Sequence, residues 1–266
     1  MDAVGIAGSH RVGPAMLARL HACGLTADGY GLAGGQAPGL SDDPSAFLLG
    51  LRILVLVPRD IAEAEALLFE TGALARNGRS LHTIVIASTL SPRYVRALRG
   101  RIQPSVSLVD APFAGTQQAA EMGALSFLLG GRSEDVERLQ PVFEALGNGA
   151  IHMGSFGAAM AAKVLNDFLA ASSAAMTRIA LDWAEAQGID DARLLEMTRA
   201  TLGSRSLLQG HEAMRIATLC ATSDPSLSAL MKEVEHALDT ALAGAHLTPP
   251  RAVETLMRNM KTRALH

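Results

Sequence analysis

The sequence predicts an α/β fold in its first part and an all-α fold in its second part. In the first part, short buried-strand patterns alternate with helical patterns, and glycines and prolines fall between them. In the second part, residues 158–187 contain neither glycine nor proline and repeat apolar residues at helical spacing. Buried strands that alternate with helices are typical of a mostly parallel sheet. We therefore expect a boundary near Gly154, with an α/β domain over 1–153 and an all-α domain over 154–266.

Each expected element follows from a local pattern. Continuous or alternating apolar runs predict strands at 3–7, 25–30, 52–57, 81–87, 106–109 and 125–129. Helical spacing predicts helices at 14–23, 61–69, 92–98, 134–146, 158–187, 190–200, 226–242 and 250–262. Residues 31–44, rich in Gly, Pro, Ser and Asp, predict a loop. Gly188 is placed to end the long helix and Asp190 to cap the next one.

Composition limits which classes of partner the protein is expected to bind and which cellular compartment it is expected to occupy. The chain has 266 residues and a formal net charge of −3, so it carries no basic footprint for nucleic acid or for an anionic membrane. Its two cysteines cannot build a disulfide framework or, alone, a zinc site, which favours a reducing, cytoplasmic compartment. Apolar runs fall short of a membrane span, and the N-terminus predicts no signal peptide. We expect a small-molecule partner and no metal.

A glycine-containing turn joins the first strand to the first helix, in the order Gly8-Ser9-His10-Arg11-Val12-Gly13. A dinucleotide-binding turn uses its first glycine for a tight turn, its second for close approach of the pyrophosphate and its third for packing of helix on strand. Gly8 and Gly13 fit the first and third roles, whereas His10 stands at the second. On this motif alone, a structural turn and a nucleotide site are equal alternatives.

The tip of the second strand does not indicate which dinucleotide would bind. An acidic residue at that tip binds the ribose hydroxyls of NAD, and an arginine accepts the extra phosphate of NADP. Here the strand ends at Tyr30-Gly31-Leu32, and Asp28 lies before the tip. NAD and NADP therefore remain equal candidates.

Several stretches, in order, resemble the β-hydroxyacid dehydrogenase family, which includes 3-hydroxyisobutyrate dehydrogenase and tartronate semialdehyde reductase. They are Gly5 to Met16, Val57-Pro58, Ser88-Thr89-Leu90-Ser91-Pro92, Asp110-Ala111-Pro112-Phe113-Ala114-Gly115-Thr116, Ala120 to Gly131, and Gly157 to Asp167. The resemblance covers most of the chain. It implies a doubly wound, Rossmann-like first domain, then a helical domain related to that of 6-phosphogluconate dehydrogenase.

The resemblance also implies an activity and site residues. The activity is hydride transfer between NAD or NADP and a small hydroxy or carbonyl compound, with Lys163 as the catalytic acid or base. The substrate would contact Ala114, Gly115, Thr116, Asn166 and Asp167. The cofactor would contact Gly8, Ser9, His10, Arg11, Val12, Gly13, Val57, Pro58, Ser88, Thr89 and Lys232. Family members assemble through their helical domains, which implies a homodimer or a larger homo-oligomer.

Departures from the family pattern leave alternatives open. Ala114 and Thr116 replace a serine and a glycine of the substrate loop, and Asp167 replaces an asparagine. Lys163 and Asp167, four residues apart, are also spaced for a solvated ion pair. Ser88 and Thr89 are placed to cap the helix that begins at Pro92. The runner-up function is a relative without redox activity that keeps the fold as a binding or scaffold protein or uses other chemistry.

Overall fold

The computed structural model describes residues 2–8, 12–32 and 40–202. Within this part of the chain the strands are β1 (Val4–Ala7), β2 (Ala27–Tyr30), β3 (Ile53–Leu56), β4 (Thr83–Ile86), β5 (Ser107–Asp110), β6 (Phe113–Ala114), β7 (Leu125–Gly130) and β8 (Gly147–Gly154). The helices are α1 (Val12–Ala22), α2 (Pro44–Phe47), α3 (Ile61–Leu68), α4 (Leu74–Asn77), α5 (Pro92–Leu98), α6 (Gln117–Glu121), α7 (Ser133–Arg138), α8 (Gln140–Leu146), α9 (Ala158–Ala186) and α10 (Asp191–Leu202).

The described strands form a single mixed sheet. Their order is β2-β1-β3-β4-β5-β7-β6, and β8 pairs with β7. β1 to β5 run parallel, and β7 is antiparallel to both β5 and β6. Because β1 lies between β2 and β3, the direction of strand progression reverses between β1 and β3. The predicted mostly parallel sheet is confirmed.

Helices cover both faces of the sheet. Alternate residues of each strand point to opposite faces, so Ile6 and Val55 pack with α1 and α8, whereas Leu54 and Ile84 pack with α3 and α5. All four side chains are almost fully buried. Both faces of these strands are buried. Segments such as Ile53–Leu56 are therefore apolar at every position instead of alternating apolar with polar residues. The predicted doubly wound architecture is confirmed.

Several features differ from the sequence prediction, and α4, β6 and α6 have no predicted counterpart. The single helix expected at 134–146 is two helices, α7 and α8, because Pro141 lacks the N–H that a continuous helix requires. The strand β8 has no predicted counterpart, since its glycines and exposed side chains hide the strand pattern. The short helix α2 begins at Pro44, within the expected loop 31–44, and the carboxylate of Asp43 caps it.

The long helix α9 and its successor agree closely with the pattern. Gly188 adopts φ +70° after α9, and the Ile189 amide donates to the Ala184 carbonyl at 2.8 Å. The Asp190 carboxylate accepts from the Arg193 amide at 3.1 Å and so caps α10. A first compact unit ends at Lys163 and a second begins at Val164. The helices expected at 226–242 and 250–262 lie outside the described residues.

Candidate active site

Three neighbouring parallel strands bring five of the predicted site residues to one edge of the sheet. Gly8 follows β1, Val57 and Pro58 follow β3, and Ser88 and Thr89 follow β4. Their strands are adjacent and parallel, so these residues share the carboxyl edge. In open α/β sheets, ligands bind at this edge beside the point where strand order reverses, which here is between β1 and β3.

Gly8 allows β1 and β3 to approach each other closely at this reversal point. Its φ is +140°, and an ideal Cβ built on it would lie 2.2 Å from the Val57 carbonyl oxygen. Its amide donates to the Tyr30 carbonyl at 3.0 Å. No side chain fits at Gly8. Gly13 differs, because an ideal Cβ there would come no closer than 3.6 Å to any neighbouring atom, which is ordinary contact.

The start of α1 lies at the same edge of the sheet. Gly8 is buried and its amide is paired with Tyr30, but α1 begins shortly afterwards at Val12. A helix N-terminus favours anions because of its dipole, so the pyrophosphate of a dinucleotide fits beside it. Ser9, His10, Arg11 and Lys232, also predicted to contact the cofactor, lie outside the described residues.

The tip of β2 carries a neighbour that sequence reasoning missed. Ser41 pairs with the end of β2, since its carbonyl accepts from the Gly31 amide at 3.0 Å and its amide donates to the Gly29 carbonyl at 2.8 Å. Asp42 and Asp43 follow directly. Burial, and then these two carboxylates, raise the pKa of Tyr30. Acidic groups therefore lie near the tip of β2, on a segment that is distant in sequence.

Asp110, the last residue of β5, joins the sheet to α9. Its side chain is fully buried. One carboxylate oxygen accepts from the Gly157 amide at 2.7 Å, and the other accepts from the Met160 amide at 2.6 Å. Because the first amides of a helix lack partners within the helix, this carboxylate acts as a remote N-cap. The sequence offers no local sign of it, since the capping residue lies 47 and 50 positions from its donors.

The surroundings of Asp110 are tightly packed. An ideal Cβ on Gly130 would lie 2.2 Å from an Asp110 carboxylate oxygen, so only glycine fits there. Burial raises the pKa of Asp110, and the Gly157 and Met160 amides and the Arg96 guanidinium partly offset this rise. The side chain of Arg96 also packs on Gly157, whose φ is +89°. Gly130, in the Ala120 to Gly131 stretch of the resemblance, thus leaves space for the cap.

A second contact ties α9 to the segment that follows β4. The Leu90 amide donates to the Met160 sulfur at 3.2 Å, and both residues are buried. Ser88 is buried and Thr89 is exposed. The alternative in which one of them caps α5 is wrong, because the N-cap is Ser91, whose side chain makes no capping hydrogen bond.

The predicted substrate loop lies between β6 and α6. Gly115 adopts φ +144°, and an ideal Cβ there would lie 2.6 Å from a Leu125 methyl carbon. The Thr116 hydroxyl accepts from the Ala119 amide at 3.2 Å and caps α6. Ala114, Gly115 and Thr116 are exposed. The threonine at the position of a family glycine thus has a local structural role in starting α6.

Lys163 is the last residue of the first compact unit and lies in α9, three residues after Met160. Its side chain is half-buried. Asn166 is exposed and Asp167 is half-buried, and both belong to the second unit. The structure therefore anchors the start of the lysine-bearing helix to the edge that carries Gly8 and Val57. Among the described residues, no group of three His, Cys, Asp or Glu side chains could hold a metal ion.

Comparisons with known proteins agree with this architecture. Residues 27–154 match the family model described as the NAD binding domain of 6-phosphogluconate dehydrogenase. The chain is 34% identical over 136 residues to 3-hydroxyisobutyrate dehydrogenase of Pseudomonas aeruginosa, covering 50% of this chain and 45% of that protein. It is 33% identical over 129 residues to the NAD-dependent L-serine dehydrogenase of the same organism, covering 48% and 43%. These matches span less than half of the relatives' own lengths.

A solved structure extends the likeness of fold. The 3-hydroxyisobutyrate dehydrogenase of Mycobacterium tuberculosis, solved with L-serine, superimposes with a TM-score of 0.76 and 21% identity. The superposition covers 100% of this chain and 95% of that one. The predicted resemblance to the β-hydroxyacid dehydrogenase family is confirmed by these matches. The matched segment of the family model begins at β2, so the first glycine turn lies before it.

Proposed function

We propose that this protein is an NAD(P)-dependent oxidoreductase, because residues 27–154 match the NAD binding domain of 6-phosphogluconate dehydrogenase. It interconverts a small hydroxy compound and the corresponding carbonyl compound. The observation that carries this proposal is the anchoring of α9 to the carboxyl edge of the sheet through Asp110. That contact connects the helix of Lys163 to the edge where a dinucleotide fits.

The proposal assigns tasks in this reaction to several of the described site residues. The bound nicotinamide supplies or accepts the hydride. Lys163, as an ammonium, donates a proton to the carbonyl oxygen during reduction, and as a neutral amine it accepts the hydroxyl proton during oxidation. Gly8, Val57 and Pro58 hold the dinucleotide through close main-chain approach. The loop of Gly115 and Thr116 orients the substrate.

The names of the relatives suggest the first substrates to test. The two relatives from P. aeruginosa are named for 3-hydroxyisobutyrate and L-serine, which are both small β-hydroxy acids. Ala114, Thr116 and Asp167 differ from the family pattern, so the usual family substrate is not the only one to test. L-Serine and other β-hydroxy amines therefore belong in the panel beside 3-hydroxyisobutyrate.

Cofactor titration is the direct test. Purified protein should quench or shift the fluorescence of NADH or NADPH on binding, and lack of detectable binding of both at millimolar concentration would contradict the proposal. Lys163→Ala should then remove turnover and leave cofactor affinity nearly unchanged, because the lysine acts on the substrate oxygen. Equal loss of turnover and of cofactor affinity would instead assign Lys163 a structural role.

Two further expectations belong to this proposal. The protein acts in the cytoplasm, which its exposed, unpaired Cys23 thiol supports. It assembles as a homodimer or larger homo-oligomer through its helical segment, where Leu169 (51%), Trp183 (65%) and Met197 (55%) expose large apolar side chains. Light scattering coupled to gel filtration tests the assembly. None of the described helices is long and apolar enough to cross a membrane.

A further inference from the structure

We propose that Asp110 is a positioning residue that holds Lys163 at the carboxyl edge of the sheet. This inference rests on the proposed function, in which Lys163 exchanges a proton with the substrate oxygen. Asp110 belongs to the stretch that resembles a substrate-binding motif, yet its carboxylate is fully buried and is occupied by two main-chain amides. It acts on the helix, and through the helix on the lysine.

The two hydrogen bonds fix the start of α9 in two directions. One oxygen holds Gly157, immediately before the helix, and the other holds Met160, within its first turn. Because these amides are three residues apart, the carboxylate sets both the height of the helix and its rotation about its axis. Its negative charge also stabilises the positive end of the helix dipole.

The neighbouring contacts leave the helix start little room to shift. The Met160 sulfur accepts from the buried Leu90 amide at 3.2 Å, which attaches the first turn to the segment after β4. Arg96 packs on Gly157 on one side, and Gly130 lies directly against the carboxylate. The first turn is therefore held by β5, by the segment after β4 and by α5.

Lys163 receives this restraint directly. It follows Met160 by three residues, which is about 4.5 Å along the helix axis, and lies on nearly the same side of the helix. A shift or rotation of the first turn therefore moves the lysine by a similar amount. A displacement of about 1 Å at a reacting group costs roughly 100-fold in rate.

The first test separates turnover from cofactor binding. Asp110→Asn keeps the side-chain volume but presents an NH2 group to one of the two amides, so the cap is broken. We expect kcat to fall by about 10- to 100-fold, while the NADH dissociation constant changes by no more than about threefold. Hydrogen exchange at the Gly157 and Met160 amides should become faster.

A matched control, Asp135, lies in α7 and contacts Ser107, the first residue of β5. Asp135 is also buried, and it accepts from the Ser107 hydroxyl and from Arg138. Asp135→Asn makes the same chemical change in the same compact unit, at a residue that contacts the opposite end of β5 from Asp110. We expect it to lower stability but to leave kcat within about twofold of the parent value.

The second test shows whether Asp110 acts through the lysine. In a Lys163→Ala background, Asp110→Asn should reduce the residual turnover by less than about twofold, because there is no lysine left to misplace. If Asp110→Asn is insoluble, Asp110→Ser, whose hydroxyl oxygen can accept from only one amide, should lower kcat with the same dependence on Lys163.

Two results would overturn the inference. One is an Asp110→Asn protein with unchanged kcat, and the other is a loss of kcat that is as large in the Lys163→Ala background as in the parent protein. Failure of the proposed function has a different outcome, because the parent protein itself would then bind neither NADH nor NADPH.

Discussion

The carbonyl oxygen of Val57 lies 2.2 Å from the position that a Cβ on Gly8 would occupy. The two residues follow the strands between which the sheet order reverses, so this contact brings β1 and β3 together where a dinucleotide would bind. The Val57 oxygen belongs to the main chain, so it cannot move away from a new methyl group as a flexible side chain could.

Gly8→Ala should therefore destabilise the protein. The new methyl group would clash with the Val57 carbonyl, and alanine strongly disfavours φ +140°. We expect the free energy of unfolding to fall by about 2–4 kcal/mol. Urea denaturation followed by circular dichroism measures it, and NADH binding should weaken in parallel.

Gly13→Ala is the matched control for Gly8→Ala. A Cβ there would meet only ordinary contacts, at 3.6 Å and beyond, and Gly13 lies in the first turn of α1. Alanine has the higher helix propensity, so stability should stay level or rise by up to about 1 kcal/mol. A large loss of stability in Gly13→Ala would show that α1 lies closer to β1 than described.

Gly130→Ala should disturb the α9 cap without changing any polar group. Its methyl group would occupy the space of the Asp110 carboxylate, 2.2 Å away, and would displace it from its two amide donors. We expect a loss of about 2–4 kcal/mol in the free energy of unfolding and a fall in kcat. Gly149→Ala, with open space around the new Cβ, should leave both quantities almost unchanged.

Met160→Leu tests the sulfur contact. Leucine preserves the volume of the buried side chain but leaves the buried Leu90 amide without its acceptor. We expect a loss of about 1 kcal/mol in stability and faster hydrogen exchange at the Leu90 amide. Met197→Leu makes the same change at an exposed position of α10 and should have no effect on either measurement. Unchanged exchange at Leu90 would contradict the contact.

The pH dependence of stability should show the titration of Asp110. Burial raises its pKa in the folded protein above the ordinary value of 3.8. The folded state therefore binds this proton more readily than the unfolded state, so the stabilisation that the group provides is fully present at low pH. This stabilisation declines as pH rises from the pKa of Asp110 in the unfolded state to its pKa in the folded state. Above the folded pKa, the contribution no longer changes with pH.

The measurement compares the parent protein with Asp110→Asn. The free energy of unfolding of the parent minus that of the variant should decrease from about pH 3 upward and then level off. Urea titrations at several pH values provide the two curves. A difference that increases with pH would mean that the amides of Gly157 and Met160 outweigh burial and hold the pKa of Asp110 below its ordinary value.

Local patterns predicted most of the fold. The continuous apolar run Ile53–Leu56 predicted a strand buried on both faces, and the helical spacing of 158–187 predicted α9. The break between α7 and α8 was missed although Pro141 marks it. The strand β8 was missed because it is exposed along nearly its whole length and its glycines interrupt the apolar pattern.

The candidate site was only partly predictable. Gly8, Val57 and Ser88 could be placed because the carboxyl ends of parallel strands share one edge. The cap of α9 could not be predicted, because Asp110 and Met160 are 50 positions apart and come together only in the folded sheet. The neighbourhood of Tyr30 and Asp42 was missed for the same reason, since their proximity depends on how the segment after β2 returns.

The cap also decides where the chain can be divided for separate expression. A fragment that ends at Met153, at the predicted domain boundary, would leave the buried carboxylate of Asp110 without either of its amide donors and the Met160 pocket empty. A fragment that ends at Lys163 keeps both amides and the sulfur contact. The first turn of the long helix thus packs as part of the α/β unit, and a fragment of that unit should include it.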